Sequence, residues 1–350
     1  MSNFSEINDD LKFIYNQNLK IWNRLKNKSI FLTGGSGPFG FWILKSFIYV
    51  NKKHSLNSKI FVLTRNKKNK IFNFCKDKSV TIVQGDIRSF KFKGKKIDYI
   101  IHGATTTAKE TYNKQDPNEK FSVLYDGTKR ILDFARKNQC KNFLFLSSGA
   151  VYGNRDKNIK FNEKMEIAPI TNDLNFDVSV LGEAKRSAEI LSIIFSIKSN
   201  CKVNIARCFS FIGPFMPLNI HYAAGNFLRD AITKKLITIK GNPKTVRSYL
   251  YFSDLVIILW KIILSNKNRQ IYNIGSDKPV NLLNLAKNIK KIIPKINLKI
   301  KNKYKKNISY YVPSIKKIKK EFKFIPKNNL YISLFKTYKS ILNNKKFYKI

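Results

Sequence analysis

Apolar positions Ile7, Leu11, Ile14, Tyr15, Leu19 and Trp22 recur at helical spacing, so residues 5–26 predict an amphipathic helix ahead of the main body of the chain. From Ser29 short β-rich runs alternate with helical patterns: SIFLTG, FGFWILKSFIYV, KIFVLTR, SVTIVQG, IDYIIHGA, a helix ending near Lys137, and NFLFLSS. Strand–helix alternation requires a parallel sheet covered by helices, which places the chain in the α/β, doubly wound class. Regularity drops across residues 154–177, a polar stretch too long for an ordinary connection and therefore expected to be functional or to contact substrate. A helix over 181–197, the strand VNIARCF and a helix at GNFLRDAIT follow. Further strands and helices run to about Ile293, and a basic strand, a turn and a terminal helix follow from Lys295. There is no internal repeat.

The 350 residues suffice for one large α/β unit with a smaller lobe. A content of 43% hydrophobic and 13% aromatic residues argues against general disorder. The net charge of +45 would ordinarily point to nucleic acid or an acidic membrane surface. Here the lysines are spread along the whole length among Asn and Ile, as AT-rich codons favour, and no nucleic-acid motif accompanies them, so no specific nucleic-acid partner is expected. A basic surface would still steer in a dianionic ligand. Cys75, Cys140, Cys201 and Cys208 show no metal-ligand spacing and no disulfide framework, which reads as buried thiols in a reducing cytoplasm. The N-terminal segment lacks a signal-peptide apolar run, and the strongest later run, 255–264, is interrupted by Lys261 and too short to cross a bilayer, so no membrane attachment is expected.

The segment SIFLTGGSGPFGFWILKSF places Gly34, Gly37 and Gly40 between a buried strand and an amphipathic helix. Gly34 permits the tight turn, Gly37 lets the backbone approach a pyrophosphate, and Gly40 lets the helix pack against the strand. The helix N-terminus, opened by Pro38 and Phe39, then offers its free N–H groups to phosphate.

The Gly-x-x-Gly-x-x-Gly spacing resembles the extended short-chain dehydrogenases, the NAD-dependent epimerase/dehydratase family of nucleotide-sugar-modifying enzymes. Matches continue along most of the chain: Gly85-Asp86-Ile87-Arg88, the strand ending at His102-Gly103-Ala104, Ser147-Ser148 through Tyr152-Gly153, the helix from Gly182 through Lys185 to Glu189, 206–214, 247–254, 272–276, and Tyr311-Val312-Pro313 followed by Pro326. The resemblance implies a Rossmann-type NAD(P)-binding domain over 29–205, preceded by a helical extension, 1–28, and followed by a substrate-binding lobe, 206–350, interleaved with the core. It implies cofactor contacts from Gly34, Gly37, Pro38, Phe39, Gly40, Asp86, Ile87, Ala104 and Lys185, a nucleotide-diphosphate sugar as substrate, and a homodimer. At the end of the second strand the family's acidic NAD-selecting residue is replaced by Thr64, with Arg65 next. An arginine there can accommodate a 2′-phosphate, which leans toward NADP over NAD.

In this family a tyrosine moves the proton while hydride passes to or from the nicotinamide; a lysine four residues later lowers its pKa, and a Ser or Thr holds the reacting oxygen. Ser148 and Lys185 fill the last two roles, but the tyrosine position is Leu181, which can neither accept nor donate a proton. No tyrosine lies between Gly153 and His221, so misalignment does not explain the loss. His221 is a candidate acid or base in the substrate loop; Tyr152 belongs to a structural turn, and His54 and His102 read as a surface residue and a strand-end packing residue. A second departure, Leu124 where the family usually has asparagine, makes the reacting zone more apolar. Gly149 and Ala150 stand where the family's dehydratases carry an Asp-Glu pair, which disfavours elimination and leaves epimerisation or reduction of a keto sugar. Arg247 suits a diphosphate by bidentate contact; Ser210 and Asn226 are further substrate candidates, with Asn226 also expected as a helix cap. The expectation is therefore a nucleotide-sugar epimerase or keto-sugar reductase of surface polysaccharide synthesis. A non-redox or catalytically degenerate binder of the same ligands is the first alternative and a 4,6-dehydratase the second.

Overall fold

A computed structural model describes residues 5–94, 96–106, 110, 116–153, 158–165, 167–168, 176–219, 222–301 and 308–350. The six runs expected as strands all form: β1 (Ser29–Thr33), β2 (Lys59–Thr64), β3 (Val80–Gln84), β4 (Tyr99–His102), β5 (Asn142–Ser148) and β6 (Lys202–Cys208). Strands β7 (Phe211–Ile212), β8 (Leu236–Ile239), β9 (Val246–Arg247) and β10 (Leu250–Tyr251) lie in smaller sheets, and with β11 (Gln270–Ile274) the order of the main sheet becomes β11-β6-β5-β4-β1-β2-β3. Every pairing in it is parallel. The continuous apolar runs in β4 and β5 are those of strands covered on both faces, and both are buried along almost their whole length. The order reverses at β1, which lies between β2 and β4, and a crevice for ligand is expected outside the carboxyl ends of the strands at such a point.

Helices Pro38–Lys53, Pro117–Lys137 and Phe176–Ile197 make the crossovers. The last starts a turn before the expected residue 181, so Leu181 lies inside the helix. Smaller sheets follow: β10 on β7, β13 (Asn297–Ile300) on β8, and β9 between β12 (Val280–Asn281) and β14 (Tyr310–Tyr311). The expected single terminal helix is three, Lys316–Phe322, Leu330–Asn343 and Lys345–Tyr348.

The N-terminal helix is shorter than its periodicity suggested. It spans Ser5–Gln17, and a tighter turn, Leu19–Leu25, follows. At the break the Asn18 side-chain amide donates to the Ile257 carbonyl 3.2 Å away, redirecting the chain onto the long apolar helix Phe252–Ile263. Trp22 then packs edge-on against Trp260 at 5.8 Å. Asp10, buried in this helix, accepts from the Tyr251 hydroxyl (2.8 Å) and pairs with Lys336 (2.6 Å), so the extension is tied to the C-terminal helix Leu330–Asn343.

Candidate active site at the carboxyl ends of the strands

The turn after β1 is a problem of backbone room. Gly34 adopts φ +76°, a region a side chain disfavours, and a Cβ there would lie 2.4 Å from the Gly103 carbonyl oxygen. A Cβ on Gly40 would lie 2.2 Å from the Gly35 carbonyl oxygen, so its tight contact is with the turn itself and not, as the sequence suggested, with the strand. Gly37 differs: a Cβ on it would meet nothing nearer than the Gly34 oxygen at 4.0 Å. That open cradle faces the start of the helix, where Gly37 is the cap and Pro38 the first residue. It fits the phosphates of a dinucleotide. Phe39 offers only its backbone there, because its ring packs edge-on against Phe211 (4.9 Å) and Phe252 (5.9 Å).

Behind the turn, Thr33 Oγ1 accepts from the backbone N–H groups of Gly103 (3.1 Å) and Ala104 (3.0 Å) and bonds His102 Nδ1 at 2.7 Å. His102 Nε2 meets Thr128 Oγ1 at 3.1 Å, and that hydroxyl itself donates to the Leu124 carbonyl. The chain of donors closes with His102 neutral and protonated on Nε2. Full burial and the Lys185 charge both hold its pKa well below the ordinary value, so His102 is the packing residue expected. Leu124, where an asparagine was expected, is buried behind this chain.

The ribose end is more heavily paired than the sequence implied. Arg65, just past β2, forms an ion pair with Glu110 at 2.8 Å. Asp86 is bound by Arg88, which lowers its pKa, and Arg88 in turn reaches Glu119 at 2.8 Å. Ile87 is buried against Gly127, whose Cβ would lie 2.7 Å from the Ile87 side chain.

At the reacting end Ser148 closes β5 and caps the short helical turn Gly149–Tyr152, accepting from the Ala150 N–H at 3.1 Å. Lys185 reaches the same strand from the helix Phe176–Ile197: its Nζ donates to the Leu146 carbonyl (2.8 Å) and lies 4.7 Å from the centre of the Phe145 ring. Burial draws the Lys185 pKa down to about 8, against the pull of Cys208 and Glu189. Cys208 lies opposite Ser148 in the β5–β6 register, and burial pushes its thiol up to about 12. Leu181, one helical turn before Lys185, is half-buried.

Beneath this pair runs a buried polar network. Ser147 donates to Glu189 (2.6 Å), which is held by Arg207 through Nε (3.0 Å) and Nη2 (2.6 Å). The Arg207 guanidinium lies 4.8 Å from the Tyr152 ring centre, and the Tyr152 hydroxyl donates to Asn273 at 2.9 Å. Tyr152 is therefore structural, as expected.

On the lobe side, Arg247 lies in β9 and is paired in register with Tyr311 of β14, its guanidinium 5.8 Å from the Tyr311 ring centre. It donates only to the carbonyls of Val246 (2.8 Å) and Ser309 (3.2 Å), and makes no ion pair among the described residues. Burial lowers its pKa, the signature of a desolvated cation suited to an anionic ligand. Ser210 is held by its backbone, its carbonyl accepting from the Leu250 N–H at 3.0 Å. Asn226 lies inside the helix Ala223–Lys234, which is capped by Tyr222, so the expected capping role is incorrect. His221 falls outside the described residues, as do 154–157, 166 and 169–175 of the polar stretch.

Two residues were missed from sequence. Glu110 follows a segment with no strong periodicity, and nothing marked it. Tyr311 was visible only as part of the family's usual ending, yet its hydroxyl sits against Gly149, the residue after Ser148. The signal was Gly149: a Cβ there would lie 2.4 Å from the Tyr311 hydroxyl.

Comparison with known proteins agrees with this geometry. A model of the NAD dependent epimerase/dehydratase family matches residues 30–275. Over 293 residues the chain is 26% identical to an uncharacterised protein of Methanocaldococcus jannaschii, covering 80% of this chain and 84% of that one. It is 29% identical to a dTDP-D-glucose 4,6-dehydratase of Dictyostelium discoideum (75% and 61% covered) and 26% identical to UDP-glucuronic acid decarboxylase 1 of Arabidopsis thaliana (87% and 68%). Among solved structures, UDP-glucose 4-epimerase from Thermotoga maritima, with UDP-glucose, superposes with a TM-score of 0.76 at 20% identity, covering 91% of this chain and 99% of that one. A dTDP-glucose 4,6-dehydratase from Bacillus anthracis, in complex with NAD, does so with 0.74 at 18% identity (92% and 99%). The parallel sheet, the glycine turn and the family match together place this chain in the NAD dependent epimerase/dehydratase family.

Proposed function

We propose that the protein is an NAD(P)-dependent nucleotide-sugar epimerase or keto-sugar reductase serving surface polysaccharide synthesis. The observation that carries this is the pairing of buried Lys185 with the Leu146 carbonyl, two residues before Ser148, beside positions 149 and 150 that hold no acid. A nicotinamide, when bound, takes up or delivers hydride. Ser148 holds the reacting sugar oxygen; Lys185, with two further N–H donors, orients the nicotinamide ribose; Arg247 takes the diphosphate. Gly34, Gly37 and Gly40 shape the pyrophosphate cradle, with Asp86, Ile87 and Ala104 lining the way to the adenosine. Ser210 and Asn226 stay as substrate contacts and His221 as an acid or base. The boundaries at 28/29 and 205/206 serve as working limits for cofactor and substrate parts.

The dehydratase relative supports a 4,6-dehydratase as a further reading, against which stand Gly149 and Ala150 in place of the Asp-Glu pair of the family's dehydratases. Leu181 favours the second reading, a protein that binds both ligands without turnover. The Arg65–Glu110 pair weakens the lean toward NADP, since a 2′-phosphate must compete with a carboxylate already in place.

A homodimer is supported by the stripe Ile190, Ile194 and Ile197, respectively 56%, 45% and 63% exposed, together with Phe121 on the packed helix Pro117–Lys137. No described helix is long and apolar enough to cross a membrane, and the four cysteines are free and buried, which supports a cytoplasmic site of action.

The test is to purify the full chain, identify bound nicotinamide, and incubate it with UDP-, dTDP-, GDP- and CDP-sugars under mass and NMR analysis. Epimer or reduced product is expected. Cofactor bound with no turnover of any 4-keto or 4-hydroxy sugar nucleotide would select the binding reading.

A further inference from the structure

We propose that Tyr311 is the proton donor of this site: its phenol, held beside Ser148, protonates a sugar carbonyl oxygen as the carbonyl carbon receives hydride from a reduced nicotinamide. This rests on the nucleotide-sugar reading above and narrows it to the reduction of a keto sugar.

Three independent features place the phenol. Strand β14 pairs in parallel with β9 so that Tyr311 lies opposite Arg247, which sets the donor next to the group assigned to the diphosphate. Its ring is fixed by Phe209 at 4.6 Å and Phe161 at 6.1 Å. Its hydroxyl occupies the space that any side chain at residue 149 would fill, 2.4 Å from the position of that Cβ. The missing acid and the available phenol are thus one structural fact: only glycine at 149 leaves room for the hydroxyl beside the residue that follows Ser148.

The surroundings of the phenol bear on its proton. Burial pushes the Tyr311 pKa above that of an ordinary phenol; the Ser148 hydroxyl and the Arg247 guanidinium pull it down, while Cys208 and Tyr152 push it up. A phenol carries its proton at neutral pH and can give it to the carbonyl oxygen in the reduction; in the reverse direction its phenolate takes that proton back. In the reduction, hydride forms the new C–H bond, the carbonyl π pair moves to oxygen, and that oxygen takes the Tyr311 proton; solvent water reprotonates the phenolate. The net change is keto sugar plus reduced nicotinamide and one proton to sugar alcohol and oxidised nicotinamide. Ser148, freed to donate to the phenolate, stabilises it, and Arg247 adds charge of the favourable sign.

Tyr311→Phe in the full chain tests this, because it removes one hydroxyl and keeps the ring packing. Reduction of UDP- and dTDP-linked 4-keto sugars should lose at least about 100-fold in kcat with KM within about threefold. Binding of NADPH and of uridine diphosphate, followed by calorimetry, should be unchanged. Adding a UDP-sugar should perturb the tyrosine near-ultraviolet absorbance of the wild type and not of the variant. Gly149→Ala, which leaves Tyr311 intact but takes its space, should lower kcat in the same way. Normal turnover by either variant, no difference spectrum, or a wild type that binds both ligands without reducing any keto sugar overturns the Tyr311 assignment alone. A wild type that binds neither NADPH nor any nucleotide sugar overturns the nucleotide-sugar reading with it.

Discussion

The glycine turn and the reacting zone lie at the carboxyl ends of the same sheet, yet they are held by different forces. Seven contiguous residues make the turn, and what fixes it is the absence of side chains: Gly34 and Gly40 each leave less than 2.5 Å between a would-be Cβ and a carbonyl oxygen. The reacting zone draws Ser148, Lys185, Arg247 and Tyr311 from four separate segments, and what fixes it is a paired polar network below and a wall of rings beside it. A backbone cradle has one solution, so its residues cannot be exchanged. A site of side chains can lose one member and recruit another, which is how a leucine can stand at residue 181 within an otherwise ordered zone.

The sharpest way to break this contrast is inside the turn. Gly40→Val should cost at least about 4 kcal/mol, because Gly35 is backbone and cannot move aside, and should abolish dinucleotide binding. Gly37→Ala should unfold at the same urea concentration as wild type, since the new methyl group meets open space, yet weaken NAD(P) binding about tenfold or more. Equal loss of stability in both variants would mean that Gly37 serves packing and not a ligand.

In the reacting zone the largest stability effect belongs to Glu189. Glu189→Gln strands the Arg207 guanidinium, whose side chain is only 10% exposed, without a counter-charge, and should cost about 3 to 5 kcal/mol by urea unfolding. Glu189→Leu combined with Arg207→Met should recover most of it. If the double variant is as unstable as the single one, the network stabilises by more than charge pairing.

Lys185 sharpens the comparison in the opposite direction, as a buried amine that costs stability. Its folded pKa, about 8, lies below the ordinary lysine value of 10.5, so between these the unfolded chain holds a proton the folded chain has given up. Stability from this group is therefore fully present above the ordinary value and is lost as pH falls toward 8. Lys185→Met should raise stability below pH 8 by up to about 3 kcal/mol, and the wild-type-minus-variant difference should shrink from pH 8 to 10.5. Turnover should be lost. A pH-independent difference would show that Lys185 is charged and solvated in the folded chain.

How far each region was legible in the sequence follows from the same contrast. SIFLTGGSGPFGFW encodes strand, turn and helix within one contiguous stretch, so local steric rules were enough, and β1, β4, β5 and β6 were recognisable because buried parallel strands are apolar along most of their length, whereas the edge strand β3 showed itself by its β-branched residues. Ser148 and Lys185 were singled out as candidates through motif resemblance. Tyr311 was not, because its approach to residue 149 depends on the β9–β14 pairing, which two-residue strands do not announce. The N-terminal helix was overextended because its apolar spacing continues through Trp22 while a single side chain, Asn18, turns the backbone away. Asn226 was misread for a similar reason: helix starts set by packing, here with Tyr222 as the cap, leave no capping side chain to recognise.

The smallest effect tests a place where the two regions meet, the ribose end of the cofactor site. Arg65 and Glu110 form a half-exposed pair, their side chains 44% and 31% accessible, so the pair itself contributes at most about 1 kcal/mol. Its consequence for cofactor choice is larger in kind than in size. A 2′-phosphate approaching Arg65 must displace the carboxylate and bear its repulsion, whereas the uncharged 2′-hydroxyl of NAD can accept from Arg65 or donate to Glu110. Glu110→Gln should therefore tighten NADP binding about three- to tenfold at low salt, leave NAD within about twofold, and lose the difference as ionic strength rises. Arg65→Met should weaken NADP and leave NAD unmoved. If Glu110→Gln weakens NAD instead, the carboxylate is a ribose ligand, and the acidic role that residue 64 no longer fills has been taken up by a residue distant in sequence, the same kind of exchange that Tyr311 represents at the reacting end.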